Sequence, residues 1–171
     1  MSKVVSSRSF AISLVIAISV ILSSCSGFRA GEGALEKVNF SGKWRLNASK
    51  SVFGPVPGST DGTIEIAQRQ MNLYIASTEV RTSGKSTAKS TYLGDGGQSF
   101  GETIGFPLPI RGICHWDGSA LIFEGEGDYS GFAVHVLENW QLSPDHKTIT
   151  INRQVSNDVR GAATQSIVLE K

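Results

Sequence analysis

The side chains that could carry acid–base or metal chemistry in this chain lie mainly between residues 115 and 138. They are His115, Glu124, Glu126, Asp128, His135 and Glu138. Two carboxyl groups can work as acid and base when their surroundings move their pKa values apart, and Glu124 and Glu126 share one face of a predicted strand. Leu121 and Phe123 define the opposite, apolar face. We therefore expect Glu124 and Glu126 to face solvent.

The spacing of metal-binding residue types predicts no metal site and no catalytic site. The sequence contains three histidines and two cysteines, but no His-x-His, Cys-x-x-Cys or His-Glu-x-x-His spacing, although zinc sites often use these. No phosphate-binding loop or dinucleotide fingerprint is present either. We predict that the protein is not an enzyme and binds no cofactor. A hydrolase is the weaker alternative, because no activated nucleophile is recognisable.

Two residues are expected to be buried in spite of their chemistry. Cys114 lies in a strand-like run, Ile113 to Trp116, and we expect an inert thiol because a reactive one needs an electropositive, partly exposed setting. Glu138 shares strand parity with Val136 and Trp140. If those two face inward, Glu138 does too, and a buried carboxylate needs a partner. An Arg–Glu pair is the favoured interpretation, and a group that orients a ligand is the alternative.

The charge balance argues against a nucleic-acid partner. The chain has 16 Lys and Arg residues against 15 Asp and Glu residues, a formal net charge of +1, whereas nucleic-acid-binding surfaces concentrate positive charge. The densest basic patch is Arg81, Lys85 and Lys89, interleaved with Ser and Thr. We interpret this patch as a solvated strand face or loop.

From Phe40 onward, apolar and polar residues alternate in short runs, which is the pattern of half-buried strands. We predict nine strands and a further tenth run. Their ranges are 40–47, 62–69, 71–79, 86–93, 98–104, 110–117, 120–127, 131–142, 147–156 and 162–170. No segment after Asn39 has a sustained apolar face of helical period, so long helices are not expected.

Turn residues separate these runs. Asp117-Gly118 predicts a type I′ hairpin, Gly94 to Gly97 a reversal, and Ser143 to Lys147 a type I turn with Pro at its second position. Residues 54–58 and 106–109 are predicted to be irregular loops. Closing such an antiparallel up-and-down meander removes its exposed edges, so an all-β barrel of about 8–10 strands is favoured and a β-sandwich is the alternative.

The first 24 residues have the layout of a signal peptide. Met1 to Ser9 carries Lys3 and Arg8 and no acid, and Phe10 to Leu22 is almost entirely apolar. As a helix, this run would span about 20 Å, which is too short for a hydrocarbon core of about 30 Å. Leu22-Ser23-Ser24-Cys25 resembles the lipobox of bacterial lipoproteins.

That resemblance implies cleavage between Ser24 and Cys25 and acylation of Cys25, which would attach the chain to a membrane through its acyl chains. Several acyl chains anchor stably where one binds reversibly. The chain then divides into a signal peptide (1–24), a lipidated flexible tether (25–39) and a single β-barrel domain (40–171). The protein is expected in a bacterial cell envelope, and Ser26 favours the outer membrane over the inner membrane.

Gly42-Lys43-Trp44, in the first predicted strand, resembles the Gly-x-Trp signature of lipocalins and related calycin barrels. The resemblance implies that Gly42 and Trp44 belong to a structural motif at the barrel floor, where the Trp packs against a late-strand Arg. Arg153 and Arg160 are the candidates for that Arg.

Two functions follow from these observations. One is a membrane-anchored lipoprotein that binds a small hydrophobic or amphipathic ligand inside the barrel, through a mouth rimmed by the loops at 53–61 and 104–110. The alternative is a structural or protein-interaction lipoprotein with a packed barrel and no ligand. No ligand-binding residue can be assigned from the sequence.

Overall fold

The computed structural model describes residues 38–55, 58–159 and 161–171, and the chain forms ten strands there. The signal peptide, the cleavage site, Cys25 and most of the tether lie outside the described residues. The strands are β1 (Gly42–Leu46), β2 (Asp61–Arg69), β3 (Asn72–Arg81), β4 (Gly84–Leu93), β5 (Asp95–Thr103), β6 (Phe106–Asp117), β7 (Ala120–Tyr129), β8 (Phe132–Leu142), β9 (Thr148–Asn157) and β10 (Gly161–Glu170).

Each strand pairs antiparallel with the next, and β10 returns to β1, so the sheet closes into a barrel. The prediction of an all-β, up-and-down barrel is confirmed, and the β-sandwich alternative is wrong. In the described part of the chain, no helix has the length and apolarity needed to cross a membrane.

Alternation along the strands decides which side chains fill the barrel. In β8, Val134, Val136, Glu138 and Trp140 are buried while His135 is exposed. The same period of two repeats around the barrel and produces one continuous core. Burying a large apolar side chain contributes about 1.5–3 kcal/mol, so the closed core is the main source of stability.

Two of the predicted hairpin turns are compared here with the observed ones: the first is as predicted, and the second differs in position and type. The β8–β9 connection is a turn as predicted, in which the N–H of His146 donates to the carbonyl of Ser143 (2.9 Å). The predicted turn at Asp117-Gly118 is displaced by one residue, because Asp117 pairs with Ala120 and the two-residue loop is Gly118-Ser119. Gly118 has a positive φ and Ser119 does not, which is typical of type II′ rather than the predicted type I′.

The segment from Phe106 to Pro109 is the start of β6, so the prediction of an irregular loop there was wrong. Its two prolines suggested a loop because they lack the N–H that a strand ladder uses. The pairing of β5 with β6 shifts register between Glu102 and Thr103. Such a bulge tolerates residues that cannot donate, and it turns the backbone.

The seam between β4 and β5 has little backbone ladder pairing. Among the described residues, the two strands share a single register pair, Thr91 with Phe100. Side chains supplement the ladder: the Ser90 hydroxyl donates to the carbonyl of Glu102 (2.7 Å), and the N–H of Leu93 donates to the Ser99 hydroxyl (2.8 Å). The first half of β4 is therefore paired with β3 only.

Candidate functional site: the barrel interior

The centre of the barrel holds a buried ion pair between Glu138 of β8 and Arg153 of β9. Arg153 Nε donates to Glu138 Oε1 at 2.7 Å, and both side chains are 0% exposed. The second carboxylate oxygen, Oε2, accepts from Tyr92 Oη (3.1 Å) and Trp140 Nε1 (2.8 Å). The inward position of Glu138 and its pairing with an Arg are therefore as predicted from strand parity.

Arg153 links this pair to the top of the barrel, the end opposite the one where the chain enters β1. Its Nη1 donates to Gln165 Oε1 (2.7 Å), and Gln165 Nε2 donates to the carbonyl of Phe53 (3.0 Å). Arg153 Nη2 is buried and has no hydrogen-bond partner within the described ranges. In the hydrogen-bond network of Glu138 and Arg153, Nη2 is thus a donor that is not used among the described residues.

Burial keeps Tyr92 and Cys114 neutral. Loss of hydration, followed by the nearby Glu138 charge, raises the pKa of Tyr92 well above its usual value. The same two causes, in the same order, raise the pKa of Cys114 from 9.0 to about 12. Cys114 is 0% exposed, and a protonated, buried thiol is not a nucleophile. The geometry agrees with the prediction of an inert cysteine.

Large aromatic side chains fill the space around the ion pair. The Tyr92 ring stacks on Phe123 with 4.7 Å between centroids and meets the edge of Trp140 at 5.6 Å. Phe40 meets Trp140 edge-on at 6.3 Å. All four residues are at most 1% exposed, so their surfaces are covered by one another and by the neighbouring aliphatic side chains.

A second buried carboxylate, Glu79, closes the top of the barrel. Its Oε2 accepts from the Ser59 hydroxyl (2.5 Å), Arg81 Nη2 (2.7 Å) and the N–H of Gly105 (3.1 Å). The loops at 53–61 and 104–110 were predicted to rim an open mouth. Through these bonds, Glu79 links both loops to its own strand, β3. Phe53 packs against the core between them.

The sequence analysis missed this second ion pair, although a signal was present. Leu73, Ile75, Ser77 and Glu79 are all buried and have the same parity in β3. Parity alone would have placed Glu79 inside, as it did Glu138.

The floor of the barrel, where the chain enters β1, differs from the lipocalin-like expectation in one respect. Trp44 is 1% exposed, and its Nε1 donates to the carbonyl of Phe40 (2.9 Å). Gly42 precedes it with φ 141°. The cation over the Trp44 ring is Lys171, with Nζ 4.7 Å from the centroid. Arg153, one candidate for the late-strand Arg, is hydrogen-bonded to Glu138 and Gln165, and Arg160 lies outside the described residues.

The remaining candidates do not converge on a site. Glu124 and Glu126 are exposed, as predicted from strand parity, and so is His115. His135 Nδ1 lies 3.1 Å from Glu126 Oε1 on the outer face, and Asp128 accepts from the N–H of Gly131 in its own hairpin (2.9 Å). Across residues 38–171, leaving aside those not described, no three His, Cys, Asp or Glu side chains are grouped to hold a metal ion.

A Gly-x-Ser-x-Gly pattern, which the sequence analysis overlooked, lies in β5 at Gly97 to Gly101. In hydrolases, the Ser of such a pattern is exposed on a strand-to-helix turn and is activated by a His. Ser99 is 0% exposed, and its hydroxyl accepts from the N–H of Leu93 instead. This serine therefore holds the β4–β5 seam together and is not placed as a nucleophile.

Comparison with known proteins identifies the fold. No protein-family model matches the chain, and no curated protein sequence matches it. Among solved structures, the zebrafish ileal bile acid-binding protein complexed with cholic acid is similar, with a TM-score of 0.51 and 15% sequence identity. The match covers 77% of this chain and 98% of that one. The chain thus has a calycin-like barrel of ten antiparallel strands.

Proposed function

We propose that this protein is a membrane-anchored envelope lipoprotein whose barrel is a packed scaffold that acts through its outer surface. The observation that carries the proposal is the filled interior. A site for a small molecule usually needs a cavity of about 300–1,000 Å³, whereas Trp44, Tyr92, Phe123 and Trp140 occupy the centre of this barrel and are at most 1% exposed.

The charges inside the barrel support the same proposal. Glu138 is neutralised by Arg153, and Glu79 by Arg81, whose Nη2 lies 2.7 Å from the carboxylate. A ligand entering the interior would have to separate at least one of these pairs. Separating a buried pair leaves an uncompensated charge, which costs about 3–5 kcal/mol.

The outer face offers apolar surface to a protein partner. Ile113 is 53% exposed, Phe100 49% and Leu137 41%. Ile113 and Leu137 flank Glu124 in one cross-strand row of β6, β7 and β8. Grouped exposed apolar side chains with polar neighbours are typical of interaction surfaces.

Native mass spectrometry of the full-length protein extracted from membranes in detergent tests the proposal. We expect the mass of the polypeptide with its acyl groups and no further molecule. Titration with cholate or palmitate should give no saturable change in tryptophan fluorescence, because Trp44 and Trp140 are already covered. A copurifying small molecule, or saturable quenching of these tryptophans, would contradict the packed scaffold.

A ligand-binding barrel is the second candidate, and a specific observation favours it. Arg153 Nη2 is a buried donor without a partner in the described ranges, and such a donor can serve the acid group of an amphipathic molecule. The chain also shares its fold with a bile acid-binding protein. For this candidate, palmitate or cholate should bind saturably to the native protein, Phe53→Ala should speed association, and Arg153→Met should weaken binding more than the exposed control Lys147→Met.

The membrane anchor is part of the proposal. It is supported by the Leu22-Ser23-Ser24-Cys25 motif and by the basic and apolar segments that precede it. Localisation in a bacterial envelope, with the outer membrane favoured because of Ser26, follows from the same resemblance.

A further inference from the structure

A groove of about 920 Å³ crosses the outer face of the barrel from β5 to β10. It lies over Gly112 of β6 and over Gly125 and Gly127 of β7. Both glycines of β7 have the inward parity of the buried Phe123, and core atoms occupy the space of their missing side chains. A Cβ added at Gly125 would lie 2.7 Å from Ile110 Cγ2, and one at Gly127 would lie 2.6 Å from Ile110 Cδ1. The backbone therefore lies closer to the core than a larger residue would allow, and the outer surface is depressed there.

One cross-strand row of exposed side chains runs along this groove. Each member is the register partner of the next, on consecutive strands from β5 to β10. The members of this row, which we call the groove row, are Gln98, Ile113, Glu124, Leu137, Gln154 and Thr164. Glu124 is flanked by Ile113 (53% exposed) and Leu137 (41% exposed). The groove thus combines one negative charge with apolar surface on both sides of it.

Glu124 has no cationic partner in the described part of the chain. No Lys, Arg or His nitrogen of that part lies within 4.0 Å of its carboxylate. Glu126 differs, because His135 Nδ1 lies 3.1 Å from its carboxylate and Arg111 is its register partner. The Arg111 guanidinium lies over the Phe100 ring, 5.5 Å from the centroid. The charge of Glu124 is therefore available to a binding partner.

We propose that the groove binds a short extended segment of a partner protein that presents a lysine or arginine to Glu124. The aliphatic stem of that side chain would lie on Ile113 and Leu137 while its charged tip pairs with the carboxylate, because long basic side chains combine an apolar stem with a charged end. The groove row spans about 24 Å at about 4.8 Å between strands, a distance that an extended segment of about seven residues covers. This inference rests on the proposed function, since it specifies which part of the outer surface binds a partner and what the partner looks like.

A second copy of the chain fits the groove less well than a basic segment. A symmetric dimer uses the same surface patch of both copies. A symmetric contact centred on Glu124 would therefore bring two Glu124 carboxylates together, with Glu126 of each copy nearby. Like charges facing each other across an interface are unfavourable. The same carboxylate attracts a segment with a basic residue at the matching position.

The test uses the full-length protein in a nonionic detergent and a defined probe, a seven-residue peptide with both ends capped. The peptide has arginine at its fourth position, leucine at the second and sixth, and serine elsewhere. We expect saturable NMR shifts confined to the groove row and its neighbours on β5 to β10. Raising the salt concentration should weaken binding, because exposed charges are screened within about 8–10 Å at moderate ionic strength.

Removing the carboxylate separates a charge-specific groove from general stickiness. Glu124→Gln should bind the arginine peptide about fivefold more weakly, the upper end of what an exposed ion pair contributes. Glu124→Lys should prefer a peptide with glutamate at the fourth position. The control Glu65→Gln removes the same charge from an exposed site on β2, so it should bind like the native protein.

The apolar flanks are tested by a second pair of variants. Leu137→Ser should weaken binding of the arginine peptide, because it removes part of the surface on which the basic stem lies. The matched control is Val80→Ser on β3, where the side chain is 38% exposed and does not line the groove. This control should bind like the native protein.

Three results would overturn the inference: equal or absent binding of the arginine peptide by the native and Glu124→Gln proteins, shifts that map outside β5 to β10, or concentration-dependent shifts of the groove row without peptide. The last result would identify a second copy as the occupant. None of these results alters the mass or the tryptophan fluorescence expected of the barrel interior. A copurifying small molecule, in turn, would contradict the packed scaffold and leave peptide binding at the groove unchanged, so the two failures are distinguishable.

Discussion

At the residue scale, Glu138 shows why a charged group is tolerated at the centre of this protein. Burying an unpaired charge is very costly, but Glu138 accepts from three side-chain donors, on Arg153, Tyr92 and Trp140. These donors come from β4, β8 and β9, so one carboxylate links three strands across the interior. The arrangement specifies how the interior packs in addition to stabilising it.

The variant Glu138→Gln is expected to lower the free energy of unfolding by about 3–5 kcal/mol, because it leaves the Arg153 guanidinium buried without a counter-charge. Urea unfolding followed by tryptophan fluorescence measures the change. The double variant Glu138→Gln/Arg153→Met should lose less stability than Glu138→Gln alone, since it also removes the unpaired charge. Additive losses in the double variant would show that the pair is not coupled.

Cys114 provides a second residue-scale prediction, which depends on pH. At pH 8, reaction of the native protein with a thiol reagent should be at least about a thousandfold slower than that of the urea-unfolded chain, because the pKa rises from 9.0 to about 12 on folding. The folded state favours the neutral thiol, so this contribution to stability is complete below pH 9 and is lost as pH rises from about 9 to about 12.

Unfolding of the Cys114→Ala variant, measured over the same pH range, isolates the contribution of this thiol. The variant should lack the part of the alkaline loss that comes from Cys114. Rapid labelling of the native protein at pH 8 would mean that the interior opens much more often than its packing indicates.

At the element scale, paired glycines in β6 and β7 allow the barrel to close. Gly112 and Gly125 are register partners in the middle of their strands. A Cβ on Gly112 would lie 2.0 Å from the carbonyl oxygen of Glu124, and one on Gly125 would lie 2.7 Å from the carbonyl oxygen of Arg111. The backbones approach too closely here for any side chain, so these glycines serve packing rather than turns.

Gly112→Ala is therefore expected to destabilise the protein by about 1–3 kcal/mol through overpacking, provided that the strands separate to accommodate the methyl group. Thermal unfolding followed by circular dichroism measures the effect. The matched control is Gly131→Asn in the β7–β8 hairpin, where nothing lies near the added Cβ and Asn tolerates a positive φ. Equal losses in the two variants would contradict the close approach.

The elements also show how far the sequence predicts this structure. All ten strands were predictable because one face of each is buried, and burial imposes an alternation that can be read residue by residue. The burial of Cys114 and Glu138 followed from the same alternation. The cation over Trp44 did not, because Lys171 and Trp44 are brought together only by closure of β1 against β10. The sparse pairing of β4 with β5 was not predictable either, because alternation along a strand does not show how many ladder bonds its neighbour makes.

At the scale of the whole molecule, the barrel has two different ends. The chain enters at the floor, where Gln68 accepts from the N–H of Phe40 and donates to the carbonyl of Val38. The β3–β4 hairpin and the loop containing Phe53 lie at the top.

The anchor itself is testable through two cysteines that play opposite roles. Cys25→Ala should abolish labelling with radioactive palmitate and leave the signal peptide uncleaved, because the lipobox resemblance assigns the acylated thiol to Cys25. Cys114→Ala is the matched control: Cys114 is 0% exposed, and its loss should leave labelling and cleavage unchanged. Ser26→Asp should move the mature protein from the outer to the inner membrane in a Gram-negative host, as measured by density-gradient fractionation. Palmitate on the Cys25→Ala protein would refute the anchor, whereas unchanged fractionation of the Ser26→Asp protein would refute only the sorting. The packed barrel depends on neither result, because its ion pairs and aromatic contacts all lie within residues 38–171.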